Sequence, residues 1–225
     1  MSLLRRLWEK RRAAGALADF YAVAPPSGST PLDDLPVLAV DVEATGLDLA
    51  TDRLLSIGWV PMDGRRIVLA GAREVVISGA RDDADGVGQS ATVHGLTDDM
   101  VDAGMPLADA LGELLDALQG RVMLAHFSMI EEDFLSAACR SVFGARLVVP
   151  TLDTYALERR RMERDSVQPR GEDLRLPRIR DRYGLPSYPP HRAVTDALSC
   201  AELFLAMTSP ANGRSPYSTL RSAQV

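Results

Sequence analysis

The sequence predicts an α/β fold: a mixed five-stranded sheet, its first three strands a meander, flanked by α-helices. Two observations carry this. Three strand-like runs, 36–43, 53–61 and 65–78, follow one another, the last two joined by the turn-forming Met62-Asp63-Gly64. Beyond residue 105 the pattern changes, and helical leucine and alanine spacings alternate with short apolar runs.

Residues 1–24 place Leu3, Leu4, Leu7 and Trp8 among basic residues at 5, 6 and 10–12, which predicts a short amphipathic helix. It reads either as an arm packed on the domain or as a contact for a partner or nucleic acid. It lacks the apolar core and cleavage site of a signal peptide. PPSGSTPLDD at 25–34 is a linker by composition. The domain is therefore expected over 35–208, after a helix and linker at 1–34 and before a loose, flexible tail at 209–225. Within it, the meander is followed by a polar loop at 81–90, and Thr97 is placed to cap a short helix. PLADALGELLDALQ at 106–119 is helical, 121–125 a fourth strand, and 129–143 a helix opened by Ser128. Leu147-Val148-Val149 is the predicted fifth strand, followed by helices near 153–164, 172–183 and 192–207.

The 225 residues suit one domain with a sizeable core. No run of eighteen apolar residues exists, so no membrane span is expected. Cys139 and Cys200 lie in helical apolar patterns without metal-ligand spacing, which points to a reduced, cytoplasmic setting. A net charge of -6 argues against coating nucleic acid by bulk electrostatics. It leaves room for enzymes that hold phosphate through metals.

VLAVDVEATGL at 37–47 carries the first chemical signal. Asp41 and Glu43 are two apart on a strand, so both carboxylates leave one face together. Like charges there raise each other's pKa unless a cation lies between them, although acids at a strand's exposed end need none. A second acid, Glu131, falls in the first turn of the helix at 129–143. It shares a stripe with Leu135, Ala138 and Val142, whereas Asp133 aligns with Ser136 and Arg140 on a wetter face. Ser128-x-x-Glu131 is equally a capping box, in which the glutamate only satisfies a backbone N–H. Third, Asp196 sits on the apolar side of the last helix with Cys200, Leu203 and Met207, five residues after His191. A buried aspartate there needs a cation or a donor. Together these acids lie at strand C-termini and helix N-termini, where ligands gather in open α/β sheets. Divalent metal is the simplest partner, and an oxygen-only ligand set favours Mg2+ or Mn2+.

Read in order, DxExTGL at 41–47, HGLT at 94–97, AHxxxxExxFL at 125–135 and HRAxxDA at 191–197 resemble the DEDDh 3′–5′ exonucleases. The pattern is most similar to the proofreading epsilon-subunit-like exonucleases of bacterial replicative polymerases. The resemblance spans residues 37–207 and implies a ribonuclease H-like fold. Two positions depart from the family pattern: Glu131 stands where aspartate is usual, and Phe127 where asparagine is usual. These bear on the second metal's geometry and on substrate preference.

The resemblance implies phosphodiester hydrolysis with two Mg2+ or Mn2+ ions about 3.5–4 Å apart. Asp41, Glu43, Glu131 and Asp196 would hold them, and His191 would be the general base. Ala44, Thr45, Gly46, Leu47, His94 and Phe134 would contact the terminal nucleotide. The implied substrate is a nucleic acid 3′ end, DNA in preference to RNA, with a polymerase or repair partner and no membrane. A 3′–5′ exoribonuclease and a weakly active nucleic-acid-binding or polymerase-associated subunit are the alternatives. The arginines at 159–161 and 164 read as a solvated helix face or as contacts for the strand.

Overall fold

Alternation along β1 (Pro36–Ala44) sets the architecture. Leu38, Val40 and Val42 join one core, and Val37 and Ala39 join another. Successive strand residues face opposite sides, so an apolar run like this one belongs to a strand covered on both faces. The computed structural model describes residues 3–79, 98–189, 191–210 and 217–224.

β1 pairs antiparallel with β2 (Leu54–Asp63) along its length. On its other side it pairs parallel with β5 (Val122–Ala125), which pairs parallel with β6 (Thr151–Asp153). The far edge of β2 carries β3 (Arg66–Ile67) and β4 (Arg73–Val76). The predicted third strand is thus two pieces, parted by a 3-10 turn at Leu69–Gly71. Both border the same strand, so the mixed sheet remains five positions wide. Gly64 supplies φ 58° in the β2–β3 turn, and a Cβ there would run into the Asp33 carbonyl.

The N-terminal arm is two helices, α1 (Leu3–Lys10) and α2 (Gly15–Ala22), where one was expected. α1 is amphipathic but lies polar face inward: Arg6 and Glu9 are buried while Leu4, Leu7 and Trp8 are exposed. Arg6 donates to the Val148 and Val23 carbonyls, each at 2.9 Å. Tyr21 Oη accepts the Val148 N–H at 2.9 Å. These bonds explain why 147–149 is not the fifth strand and the ladder forms two residues later, at β6. Side chains of the arm take the backbone groups that a strand neighbour would otherwise have taken.

After α3 (Asp98–Asp102), α4 (Leu107–Leu118) and α5 (Met129–Phe143) cover one face of the sheet with α2. α6 (Thr154–Arg164), α7 (Leu176–Arg182) and α8 (Ala193–Thr208) cover the other. The predicted helix over 172–183 is divided because Pro177 sits in the first turn of α7, where its missing N–H costs nothing. A 3-10 turn at Gly171–Leu174 precedes it. Residues 217–224 do not trail loosely as expected. Tyr217, Leu220 and Ala223 are buried in the second core, Thr219 bridges Pro31, and α9 (Leu220–Ala223) closes the chain. Among the described residues, no helix is long and apolar enough to cross a membrane.

Candidate active site

The alternation that buries Val37 and Ala39 turns Asp41 and Glu43 toward α8. Asp41 pairs in register with Gly58 of β2. A Cβ on Gly58 would collide with the backbone of Ala193 and Val194, so this glycine lets the N-terminus of α8 lie directly on the sheet. The first turn of α8 then brings in Asp196. One carboxylate oxygen from each of Asp41, Glu43 and Asp196 lies within 4.8 Å of the others. Gly58 is a positioning residue that the sequence reading passed over. Its signal was there: a lone glycine inside the apolar strand LLSIGWVPM marks a close backbone approach.

His191 comes to the same place by a braced loop. Arg180, buried, donates to the carbonyls of Ser199 at 2.6 Å and Pro186 at 2.7 Å, and to the Glu202 carboxylate at 2.8 Å. Tyr188 donates its hydroxyl to the same Glu202 at 3.0 Å. The loop ends at His191, whose backbone N–H donates to Asp196 Oδ2 at 2.8 Å. His191 is exposed and, with Asp41, His126, Phe127, Tyr155 and Asp196, lines a cavity of about 490 Å³.

Glu131 resolves in favour of a buried acid. Ser128 has helical backbone angles, φ -52° and ψ -15°, and its side chain makes no cap bond. Its hydroxyl donates to Glu132 at 3.3 Å, so no capping box with Glu131 forms. Asp153 organises this junction instead: it accepts the N–H groups of Phe127 at 2.9 Å, Ser128 at 3.2 Å and Tyr155 at 2.8 Å. Glu131 is 4% exposed, and its Oε2 is buried without a hydrogen-bond partner. Such an oxygen is costly unless something binds it. Asp133 is exposed, although Ser136, expected beside it on a wet face, is buried.

The electrostatics agree with a cation site. Burial, then the charges of Glu131, Asp196 and Glu43, push Asp41 well above the usual carboxylate range. Burial, then Asp196 and Glu74, raise Glu43 to about 8. Burial raises Glu131 to about 8 as well, with Asp153, Glu132 and Glu43 adding to it against the helix's own N–H. Asp196 is raised by burial despite the His191 N–H. A divalent cation among these oxygens reverses each shift. The donor set is hard oxygen throughout, which fits such an ion.

The remaining predicted contacts divide. Thr45 donates its hydroxyl to Asp52 at 2.8 Å and accepts the Arg53 N–H at 3.1 Å, which braces the turn after β1. A Cβ on Gly46 would strike the Asp52 carboxylate, so glycine keeps that turn closed. Ala44 ends β1, and Leu47 stands 74% exposed beside it. Phe134 is a core side chain bordering a separate cavity with Leu54 and Ile77, and does not reach the cavity of Asp41. His94 and Thr97 lie outside the described residues. Arg159 pairs with the exposed Glu163, as a solvated helix face would have it, whereas Arg161 joins Arg182 and Tyr183 on the buried carboxylate of Glu158. His126 is held between the Leu174 carbonyl at 2.9 Å and the Thr154 hydroxyl at 2.8 Å, and burial lowers its pKa.

The model of the RNase_T exonuclease family matches residues 38–204. The chain belongs to this exonuclease family. Asp41, Glu43, Glu131, His191 and Asp196 all fall within the matched span of the exonuclease domain. It is 28% identical over 171 residues to the DNA polymerase III subunit epsilon of Treponema pallidum, covering 75% of this chain and 74% of that protein. It is 27% identical over 179 residues to the PolC-type DNA polymerase III of Thermotoga maritima, covering 80% of this chain and only 12% of the polymerase. In fold, the exonuclease domain superposes on the nuclease domain of 3'hExo, a DEDDh family member, bound to rAMP. That match has a TM-score of 0.62 at 14% identity and covers 82% of this chain and 97% of the other. E. coli Exonuclease I in complex with a dT13 oligonucleotide gives 0.60 at 13% identity, over 78% of this chain and 41% of that one. The expected ribonuclease H-like architecture is the one found.

Proposed function

We propose that this exonuclease domain hydrolyses phosphodiester bonds at nucleic acid 3′ ends, DNA in preference to RNA, and releases nucleoside monophosphates. The observation that carries the reading is the convergence of Asp41, Glu43 and Asp196, with the buried, unpartnered Oε2 of Glu131 on the adjoining helix. Asp41, Glu43 and Asp196 would hold one Mg2+ or Mn2+, and Asp41 and Glu131 a second. When bound, two such ions stabilise the entering and departing oxygens of an in-line displacement. His191 accepts the proton of the attacking water at a ring nitrogen, a task suited to imidazole. The His191 backbone N–H bond to Asp196 ties the residue that carries the base to one of the acids. Thr45, Gly46 and Leu47 border the terminal nucleotide, with Thr45's hydroxyl already engaged by Asp52 and the exposed Leu47 left to contact a base. The relatives' names favour a polymerase partner for the domain.

The test is a digestion panel on 5′-labelled single- and double-stranded DNA and RNA with Mg2+, Mn2+ or chelator. Stepwise shortening from a free 3′ end, lost in chelator, is the expected result. Nicking of closed circular DNA, or full activity in chelator, contradicts it. Within the same assay His191→Ala is expected to cut kcat roughly 10²–10⁴-fold, the scale of a general base. Metal affinity measured by calorimetry should stay near wild type, and its collapse would make His191 a ligand.

A further inference from the structure

We propose that Phe127, backed by Tyr155, is a stacking surface for a nucleobase at the 3′ end and selects single-stranded over duplex substrate. The inference rests on the exonuclease reading above. Phe127 follows the last strand residues of β5 and borders the same cavity as Asp41, His191 and Asp196. Its side chain is 37% exposed although its near neighbours Ala125 and Ser128 are buried. The ring meets Tyr155 edge to face at 4.9 Å between centroids, and Tyr155 in turn stands 6.0 Å from His126. The aromatic is therefore fixed from behind by a second ring.

The backbone adds an independent observation. Phe127 has φ 67°, in the left-handed region where glycine and asparagine rest most easily and a bulky residue is uncommon. Such conformations persist only when their surroundings over-determine them, and they collect at active sites and ligand clamps. Here Asp153 over-determines it, by accepting the N–H groups of both Phe127 and Ser128. No core packing requirement explains a phenylalanine there, because the side chain stands partly in solvent at the mouth of the acidic cavity. An exposed aromatic face in that place suits base stacking, which tolerates sequence because every base has a π-face. A base stacked on it has left its partner strand, so duplex ends must fray before they fit. Phe127 and Tyr155 also border a second cavity of about 610 Å³, lined by acids as well as by Arg159 and Arg160, which gives the upstream strand room.

The test is steady-state kinetics on a 5′-labelled oligothymidylate, with versions carrying one abasic residue at each of the last three positions. Phe127→Asn keeps a residue that tolerates the left-handed backbone, so its thermal midpoint should hold or rise. Its KM should nevertheless rise about 5- to 150-fold, the range of base–aromatic stacking, with kcat within about twofold. Its preference for single strands over blunt duplex should shrink, and Phe127→Tyr should behave as wild type. One of the abasic positions should erase the difference between wild type and Phe127→Asn. An unchanged KM, a loss confined to kcat, or a KM rise independent of every abasic position overturns the proposal. Failure of the wild type to shorten any 3′ end sinks the exonuclease reading instead. In that case anisotropy of a fluorescein-labelled oligothymidylate decides the stacking surface, and equal binding by wild type and Phe127→Asn overturns it.

Discussion

Asp41→Asn is expected to abolish hydrolysis and, at pH 8 in chelator, to raise the thermal midpoint of the protein. Both effects have one origin. Asp41 stands among Glu43, Glu131 and Asp196, and burial together with their charges makes its ionised form unfavourable in the fold. An acid whose pKa rises on folding keeps its proton in the native state after the unfolded chain has released it. The native state then binds more protons, and stability falls as pH rises. For Glu43 and Glu131 that window runs from the ordinary 4.5 to about 8. The chelated wild type should therefore lose stability between about pH 5 and 8, and the asparagine variant should lose less. In a chain of this size about 1 kcal/mol corresponds to about 2–4 °C. Addition of Mn2+ should reverse the ranking, because a cation stabilises only the protein that holds it. At a hundred times its Kd it contributes about 2.7 kcal/mol. Calorimetry at pH 5 and pH 8, with chelator and with Mn2+, reads all of this. A flat midpoint for the chelated wild type, or near-normal turnover in the variant, contradicts the assignment.

How much of this was legible in the sequence depends on how far each feature reaches. β1 was legible because both its faces are buried, so its residues form one apolar run broken only by the two acids. α5 was legible to the residue because Gly144, at φ 76°, ends it. The segment 147–149 was misread because its backbone partners, Arg6 and Tyr21, lie more than a hundred residues away. Periodicity carries no information about such partners. The tail was misread for a similar reason: Thr219 and Pro31 meet only in three dimensions. Asp153 was invisible as the organiser of the β5–α5 junction, since it serves backbone donors from two separate segments. Among the site residues, Asp41, Glu43 and Asp196 were legible from spacing and are brought together. Phe134 borders a cavity with Leu54 and Ile77, and its position in the motif says nothing of which way its ring packs.

Glu131 is where spacing alone could not decide, since a capping box and a buried metal-facing acid share the pattern Ser-x-x-Glu. The backbone of Ser128 separates them: a cap residue needs extended angles, and Ser128 is already helical. Glu131→Gln is accordingly expected to lower activity roughly 10²–10³-fold, the scale of losing one electrostatic stabiliser in a closed site. Its chelated stability should match the wild type near pH 4.5 and exceed it increasingly between about pH 5 and 8, because the amide has the shape of the protonated carboxyl and no charge to bury. Asp133→Asn is the matched control, an exposed acid two residues on, and should keep near-normal turnover. A capping role would leave both rate and stability nearly unchanged, because glutamine serves a capping box about as well as glutamate does. If Glu131→Gln is active and Asp133→Asn is inactive, the helix presents the other acid and the register of the site is wrong by two residues. If both remain active, the middle acid is dispensable, and a nucleic-acid-binding subunit becomes the better description. The unpartnered Oε2 of Glu131 favours an inactive Glu131→Gln beside an active Asp133→Asn, since a carboxylate buried only for packing would have found a donor.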